Sequence, residues 1–105
     1  MTLVLSAPDT RLGKAGHCKS FEQILATGIG PDYAIYRQLA EQITTGCRVV
    51  LVCNDKGKRA EGTLSEIVRS GKARNRVQRY NIRISGLTRV PFVPESLNRC
   101  GVSLR

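Results

Sequence analysis

The sequence predicts a small α+β protein with a curled, barrel-like, mostly antiparallel sheet of about six strands and two helices after the first strand. Short apolar or alternating segments recur along the chain, and Gly, Pro, Asn and Asp separate them, as in sheet proteins. Two segments near the N-terminus instead repeat their apolar residues every three or four positions, which is the period of a helix. With 105 residues, the chain is expected to form one domain over residues 1–105.

The first strand is predicted at Thr2–Ala7, a short apolar run that ends at Pro8 because proline cannot continue a ladder inside a sheet. A first helix is expected to begin after Ser20, a good N-cap residue, with Gln23 three positions later as in a capping box. Gly28 is expected to end this helix.

A second helix is predicted from about Asp32 to Thr44. Its apolar stripe is formed by Ile35, Leu39 and Ile43, which recur at intervals of four residues, and Gly46 fits the C-terminal stop.

The tyrosines of this segment, Tyr33 and Tyr36, admit two interpretations. Their rings could serve as stacking platforms for nucleobases. A tyrosine on an apolar helical stripe is more often packed in the core, so burial is the preferred interpretation.

From Arg48 onward, the pattern changes to that of strands. Val49–Cys53 is a continuous apolar run, typical of a strand buried on both faces, and Asn54–Lys58 has the composition of a hairpin turn. A second strand is predicted over Arg59–Val68, where Gly62 indicates a bend or a bulge.

A basic loop at Arg69–Asn75 is predicted to lead into a strand over Val77–Ser85. Side chains alternate between the two faces of a strand, so Arg79 and Arg83 are expected on the solvent face. The opposite, buried face is expected to carry Tyr80, Ile82 and Ile84.

The last part of the chain is predicted to turn at Gly86 and Thr88 into a short edge strand over Val90–Val93. A helical turn is expected to open at Pro94, and Val102–Leu104 is expected to close the sheet as a final short strand.

The positive charge is concentrated in the C-terminal half. Residues 1–55 contain five basic and five acidic residues, whereas residues 56–105 contain twelve and three, so the net charge of +9 arises in the second part. A local excess of positive charge attracts polyanions, and the arginine guanidinium can contact phosphate with two hydrogen bonds. We therefore predict a nucleic-acid partner, RNA or DNA. The predicted phosphate contacts are Lys58, Arg59, Arg69, Lys72, Arg74, Arg76, Arg79, Arg83 and Arg89.

An alternative hypothesis is a non-enzymatic adaptor or oligomerising module whose basic face docks an acidic protein partner or a second copy of the chain. Both hypotheses are electrostatic. Nucleic acid that copurifies with the protein and is removed by nuclease would favour the first.

Other functions are not expected from the residues present. The acids are few and dispersed and there is one histidine, so neither catalysis nor a cofactor is predicted. The four cysteines lack metal-site spacing, so we expect no metal and free thiols in a cytoplasmic protein. We also expect no signal peptide and no membrane span, because no apolar stretch approaches roughly 20 residues.

The chain resembles the PUA-like superfamily, in particular its EVE and ASCH members. The resemblance lies in the opening LVLSAPDT, the helical segment at 33–43 leading into RVVLVCN, the partner AEGTLSEIV, and RYNIRISGLTRVPFVPESL. It spans nearly the whole chain and implies a PUA-like barrel. A local resemblance, GCRVVLVCNDKGKRAEGTLSEIV, is similar to the first motif of Sm-like proteins, which form rings that bind single-stranded RNA. The order of elements favours the PUA-like alternative.

Overall fold

The computed structural model of the chain describes residues 1–7, 20–72, 77–97 and 101–105. The helices and strands, in chain order, are β1 (Thr2–Ser6), α1 (Phe21–Thr27), β2 (Ile29–Ala34), α2 (Arg37–Ala40), β3 (Arg48–Cys53), β4 (Lys58–Lys72), β5 (Gln78–Arg89) and β6 (Val102–Leu104).

The six strands form a single sheet in the order β2-β5-β4-β3-β1-β6. Four of its pairings are antiparallel, and only β1 and β3 run parallel. The sheet curls into an open half-barrel, so the predicted curled, mostly antiparallel sheet of six strands is confirmed. The class α+β fits only loosely, because the described helices are two short segments against six strands.

The curl originates in the pairing of β4 with β5. Their register shifts three times, first between Glu61 and Thr63, where Gly62 lies. A Cβ atom on Gly62 would approach the Ile84 side chain at 2.7 Å and the Ser85 carbonyl oxygen at 2.8 Å, so only glycine fits there without movement. Irregularities of this kind bend and twist a strand, and the predicted bulge at Gly62 is confirmed.

The core fills the inner, concave side of the sheet. Leu3, Leu51 and Ile82 are fully buried there, and Phe21 and Ile24 of α1 cover them. The outer side of β3 is also buried, because Val50 and Val52 pack with Val4 and with Leu97 from the C-terminal segment. Burial on both faces explains why β3 reads as a continuous apolar run.

The predicted limits of α1 are confirmed. The Ser20 hydroxyl oxygen accepts a hydrogen bond from the Gln23 backbone N–H at 3.2 Å. At the other end, Gly28 adopts φ 72° and donates its N–H to the Ile24 carbonyl oxygen at 2.7 Å.

The predicted second helix over Asp32–Thr44 is wrong at both ends, and its C-cap is Glu41 and not the predicted Gly46. Residues 29–34 form β2, which pairs with β5, and helix α2 is limited to Arg37–Ala40. The register slips between Gly30 and Tyr33, where Asp32 has φ 53°. Pairing with the open edge of β5 satisfies the backbone groups of both strands, and this tertiary gain exceeds the helical preference of a short segment.

The predicted loop at Arg69–Asn75 begins too early, because Arg69–Lys72 belongs to β4 and pairs with β5. The predicted turn at Gly86 and Thr88 is also wrong. Gly86 adopts φ 63° and lets the strand bend without ending, so that Thr88 still pairs with Glu61. Both β4 and β5 are longer than predicted because each provides hydrogen bonds to the other along its length.

The C-terminal segment differs from its prediction as well. The predicted edge strand at Val90–Val93 and the helical turn at Pro94 are absent from the described residues 90–97, which have no regular structure. The segment crosses the outer side of the sheet, where Leu97 packs, and needs no ladder because side chains fasten it. The final strand Val102–Leu104 is confirmed and pairs with β1.

The predicted alternation of β5 is confirmed. Ile82 and Ile84 are buried, Tyr80 packs partly buried against the core, and Arg83 is exposed on the opposite face. Arg79 lies on the same outer side but is only half-exposed.

We expect Ile82→Ala to lower the free energy of unfolding by about 2–5 kcal/mol, because the side chain is fully buried and its removal leaves a cavity. Val68→Ala is the control, because Val68 lies on the outer face of the neighbouring strand and is 40% exposed. We expect a loss below about 1 kcal/mol there. Urea denaturation measures both values, and equal losses would contradict the assigned faces.

Candidate nucleic-acid interface

The basic hairpin, defined as residues 66–83 at the joined ends of β4 and β5, carries most of the excess charge. By sequence, it contains six basic residues and one acid, Glu66. The register places Arg69 opposite Tyr80, and Glu66 opposite Arg83. Because opposed residues share a face, Arg69 lies on the inner side of the sheet and Arg83 on the outer side.

The cations at the other end of these strands are held by carboxylates. Lys58 Nζ lies 3.2 Å from Glu22 Oε2, and Arg89 hydrogen-bonds both oxygens of the same carboxylate. The hydrogen bond from Arg89, with a smaller contribution from Lys58, lowers the pKa of Glu22 below its ordinary value. Both cations also face the ring of Phe21, with distances to its centroid of 6.0 Å for Lys58 and 5.6 Å for Arg89. These contacts fasten α1 to the sheet.

Arg59 is a structural residue and not a surface contact. Its guanidinium is buried on the outer side and donates to Glu95 Oε2 at 2.8 Å, to the Val93 carbonyl oxygen at 2.9 Å and to Glu61 Oε2 at 3.2 Å. The hydrogen bond to Glu95 is the main cause that raises its pKa. Because Arg59 is committed to fastening the C-terminal segment, we exclude it from the candidate interface.

Glu61 and Glu95 each bridge two cations. Arg48 Nε donates to Glu61 Oε1 at 3.1 Å, and Arg59 contacts the other oxygen. Arg105 Nη1 donates to Glu95 Oε1 at 2.6 Å. Hydrogen bonds from Arg48 first, and from Arg59 second, lower the pKa of Glu61.

The arginines of the basic hairpin are less constrained. Arg69 is exposed and has no ion pair within the part of the chain that the structure describes. Arg83 Nε lies 3.7 Å from Glu66 Oε2, with both side chains more than half exposed, so this pair contributes little. Arg79 donates one Nη1 hydrogen to the Asp32 carbonyl oxygen at 2.8 Å. A guanidinium has five donor hydrogens, so this bond positions Arg79 without saturating it.

The nine predicted contacts are therefore divided. The structure brings Arg69, Lys72, Arg79 and Arg83 to the basic hairpin, with Lys72 paired opposite Gln78. Lys58, Arg59 and Arg89 lie toward the other end of β4 and β5. The remaining two, Arg74 and Arg76, lie outside the described residues.

An open groove of about 930 Å³ adjoins the inner side of the basic hairpin. One wall is α2 with its flanking residues, and the other is the inner face of β4 and β5. The side chains with polar or aromatic groups along it are Tyr36, Arg37, Glu41, Thr45, Arg69, Gln78 and Tyr80. No local sequence pattern indicated this groove, because it depends on the early end of α2 and on the length of β4.

The two tyrosines of the predicted helix differ in burial. Tyr33 is buried as expected, and its hydroxyl donates to the Ser6 carbonyl oxygen at 2.7 Å, while burial raises its pKa. Tyr36 is 55% exposed and lines the groove, so the core interpretation is wrong for this residue. The physical reason is that strand β2 ends before Tyr36, and the buried Ile35 takes the core position.

Comparison with known protein families, with curated proteins and with solved structures finds no match. The PUA-like and Sm-like resemblances therefore stay predictions. Neither helix of the described residues has the length and apolar character that crossing a bilayer requires. Within the same residues, no three His, Cys, Asp or Glu side chains converge as metal ligands would.

We expect stability to fall in acid partly through Glu61. Its pKa is lower in the folded state than in the unfolded chain, so its contribution is complete above the unfolded value of about 4.3. The contribution is lost as pH falls through the lower folded value. Between pH 6 and pH 3, the free energy of unfolding should therefore decrease more steeply for the native protein than for Glu61→Gln. Parallel pH dependences in urea titrations would contradict this role.

Proposed function

We propose that this protein binds nucleic acid, RNA or DNA, through the basic hairpin. The observation that supports the proposal is the unequal distribution of ion pairs between the basic hairpin and the rest of the sheet. Glu22, Glu61 and Glu95 each hold two cations away from the hairpin. Two acids lie at the hairpin: its own Glu66, whose Oε2 is 3.7 Å from Arg83 Nε, and Asp32 of β2, whose Oδ1 accepts a hydrogen bond from the Ser70 hydroxyl at 2.7 Å. They face six basic residues of the hairpin. The resulting positive potential is local, and phosphates of a nucleic-acid backbone complement it.

The strands give the charges a fixed arrangement. Arg69 and Arg83 extend from opposite faces of two paired strands, and Arg79 is held by the Asp32 carbonyl oxygen. A guanidinium held in place loses less side-chain freedom when it contacts phosphate than one on a flexible tail. Lys72 belongs to the same end of β4, and by sequence Arg74 and Arg76 join this strand to β5.

The proposal is tested by the salt dependence of oligonucleotide binding. Four or five phosphate contacts give a log–log slope of roughly −3 to −4, because each contact releases condensed counterions. Replacing both Arg69 and Arg83 with Gln should make the slope less steep by about 1.5 to 2 units, and fluorescence anisotropy from 50 to 300 mM salt measures it.

Lys56→Glu is the matched control. It lowers the net charge by the same two units, and Lys56 is exposed in the turn between β3 and β4, at the opposite end of β4. We expect it to leave the slope nearly unchanged. If both variants change the slope equally, attraction is through net charge alone. If the native protein binds no oligonucleotide at 50 mM salt, the proposal fails and the adaptor hypothesis is preferred.

A further inference from the structure

We propose that the groove beside the basic hairpin binds an unpaired nucleobase stacked on Tyr36. Single-stranded nucleic acid is then the preferred ligand. This inference rests on the proposed function and specifies its ligand. It concerns the inner side of the sheet, where the charged residue Arg69 and two tyrosines line one open space.

Tyr36 has the features of a stacking platform. More than half of its surface is exposed, although it lies between two anchored segments of chain. On one side, Ile35 is buried and its N–H donates to the Gln78 carbonyl oxygen at 3.2 Å. On the other side, the Tyr36 carbonyl oxygen accepts hydrogen bonds from Leu39 at 3.0 Å and Ala40 at 2.9 Å. The backbone that carries the ring is therefore fixed, and stacking costs little ordering of the main chain.

The opposite wall supplies a second ring with a cation beside it. Tyr80 packs partly buried against the core, and it is paired with Tyr33 on one neighbouring strand and with Arg69 on the other. Because Arg69 has no ion pair among the described residues, its guanidinium is available to a phosphate or to the face of a base.

The groove contains little negative charge to oppose a polyanion. Its one lining acid, Glu41 at the C-cap of α2, accepts a hydrogen bond from Arg37 Nε at 2.9 Å. Both side chains are well exposed, and Arg37 is 91% exposed, so this pair is weak and Arg37 can turn to a phosphate at small cost. Each wall of the groove then offers a tyrosine and an arginine, Tyr36 with Arg37 on one side and Tyr80 with Arg69 on the other.

A stacked base must be unpaired. In a duplex, both faces of each base are covered by neighbouring pairs, so a protein ring reaches a base face only in a single strand, a loop or an end. Phosphate contacts alone would bind any nucleic acid, whereas stacking on the exposed Tyr36 ring favours single strands.

The test compares three ligands at one salt concentration. They are a 12-nucleotide DNA strand, the same strand with its central bases removed as abasic sites, and the duplex of the intact strand. Removing the bases keeps the phosphates, so this pair isolates stacking from charge. We expect the native protein to bind the intact strand about 5- to 150-fold more tightly than the abasic strand, the range for one base stacked on an aromatic side chain.

Variants of Tyr36 assign the difference to its ring. Tyr36→Ala and Tyr36→Leu should each remove the preference for the intact strand and leave binding of the duplex and the slope with salt unchanged. Tyr36→Phe should keep the preference within about twofold, because the ring is what stacks. The leucine variant retains apolar bulk, so it preserves the test if the alanine variant is unstable. The matched control is Phe92→Ala, another exposed aromatic residue that lies by the turn at Gly57, and we expect no change from it.

A second readout follows from composition. The protein has no tryptophan and three tyrosines, so its intrinsic emission comes from Tyr33, Tyr36 and Tyr80. The intact strand should quench this emission more than the abasic strand does, and Tyr36→Phe should remove most of that difference.

The outcomes separate the two proposals. If the intact and abasic strands bind equally, and binding still weakens steeply with salt, the stacking inference is overturned. Nucleic-acid binding through the basic hairpin is then still supported. If Tyr36→Ala weakens the duplex as much as the single strand, the inference is overturned in the same way. If no ligand binds at 50 mM salt, both proposals fail. A native dimer that Tyr36→Ala dissociates in sedimentation would assign the groove to self-association and overturn the inference.

Discussion

The pairing of β4 with β5 is the interaction on which the rest of this structure depends. It joins two strands of 15 and 12 residues, and its three register shifts bend them around the core. Because β2 pairs with the far edge of β5, and β3 with the far edge of β4, the bend passes to the whole sheet. A flat pairing would leave no concave side for Phe21 and Ile24 of α1 to fill.

The same pairing determines where each cation points. Opposed residues share a face, so the register assigns Arg69 to the groove and Arg83 to the outer surface. The bulges change the parity along β4, which is why residues close in sequence fall on different sides. One hairpin thus supplies both the basic outer surface and one wall of the groove, whose other wall is α2 with its flanking residues.

Carboxylates complete the division of charge. Glu22 and Glu95 contribute to structure because each joins a peripheral segment to the sheet: Glu22 fastens α1 through Lys58 and Arg89, and Glu95 fastens the C-terminal segment through Arg59. These acids neutralise cations where segments must be held, and the hairpin, with six basic residues, keeps an excess of positive charge. The chain has eight acidic and seventeen basic residues, so the acids can neutralise only part of the basic charge. Using acids to fasten α1 and the C-terminal segment therefore leaves fewer of them to neutralise the hairpin.

The sequence by itself determined the features that depend on local chemistry. Ser20 and Gly28 mark the limits of α1, the apolar run at 49–53 marks a strand buried on both faces, and the alternation around Ile82 marks the faces of β5. The excess charge near the hairpin was also visible, because a count of charges requires no coordinates. Such signals reach only a few residues along the chain, and they fix element types and faces.

Only the tertiary structure decided the rest. The segment at 29–34 became a strand because the edge of β5 was open to it, and the same change exposed Tyr36. Arg59 left the candidate interface because Glu95, 36 residues away in sequence, lies within hydrogen-bond distance. Both outcomes depend on contacts between distant parts of the chain, which no local pattern encodes. The groove exists for the same reason, since its two walls meet only after β4 and β5 have paired and bent.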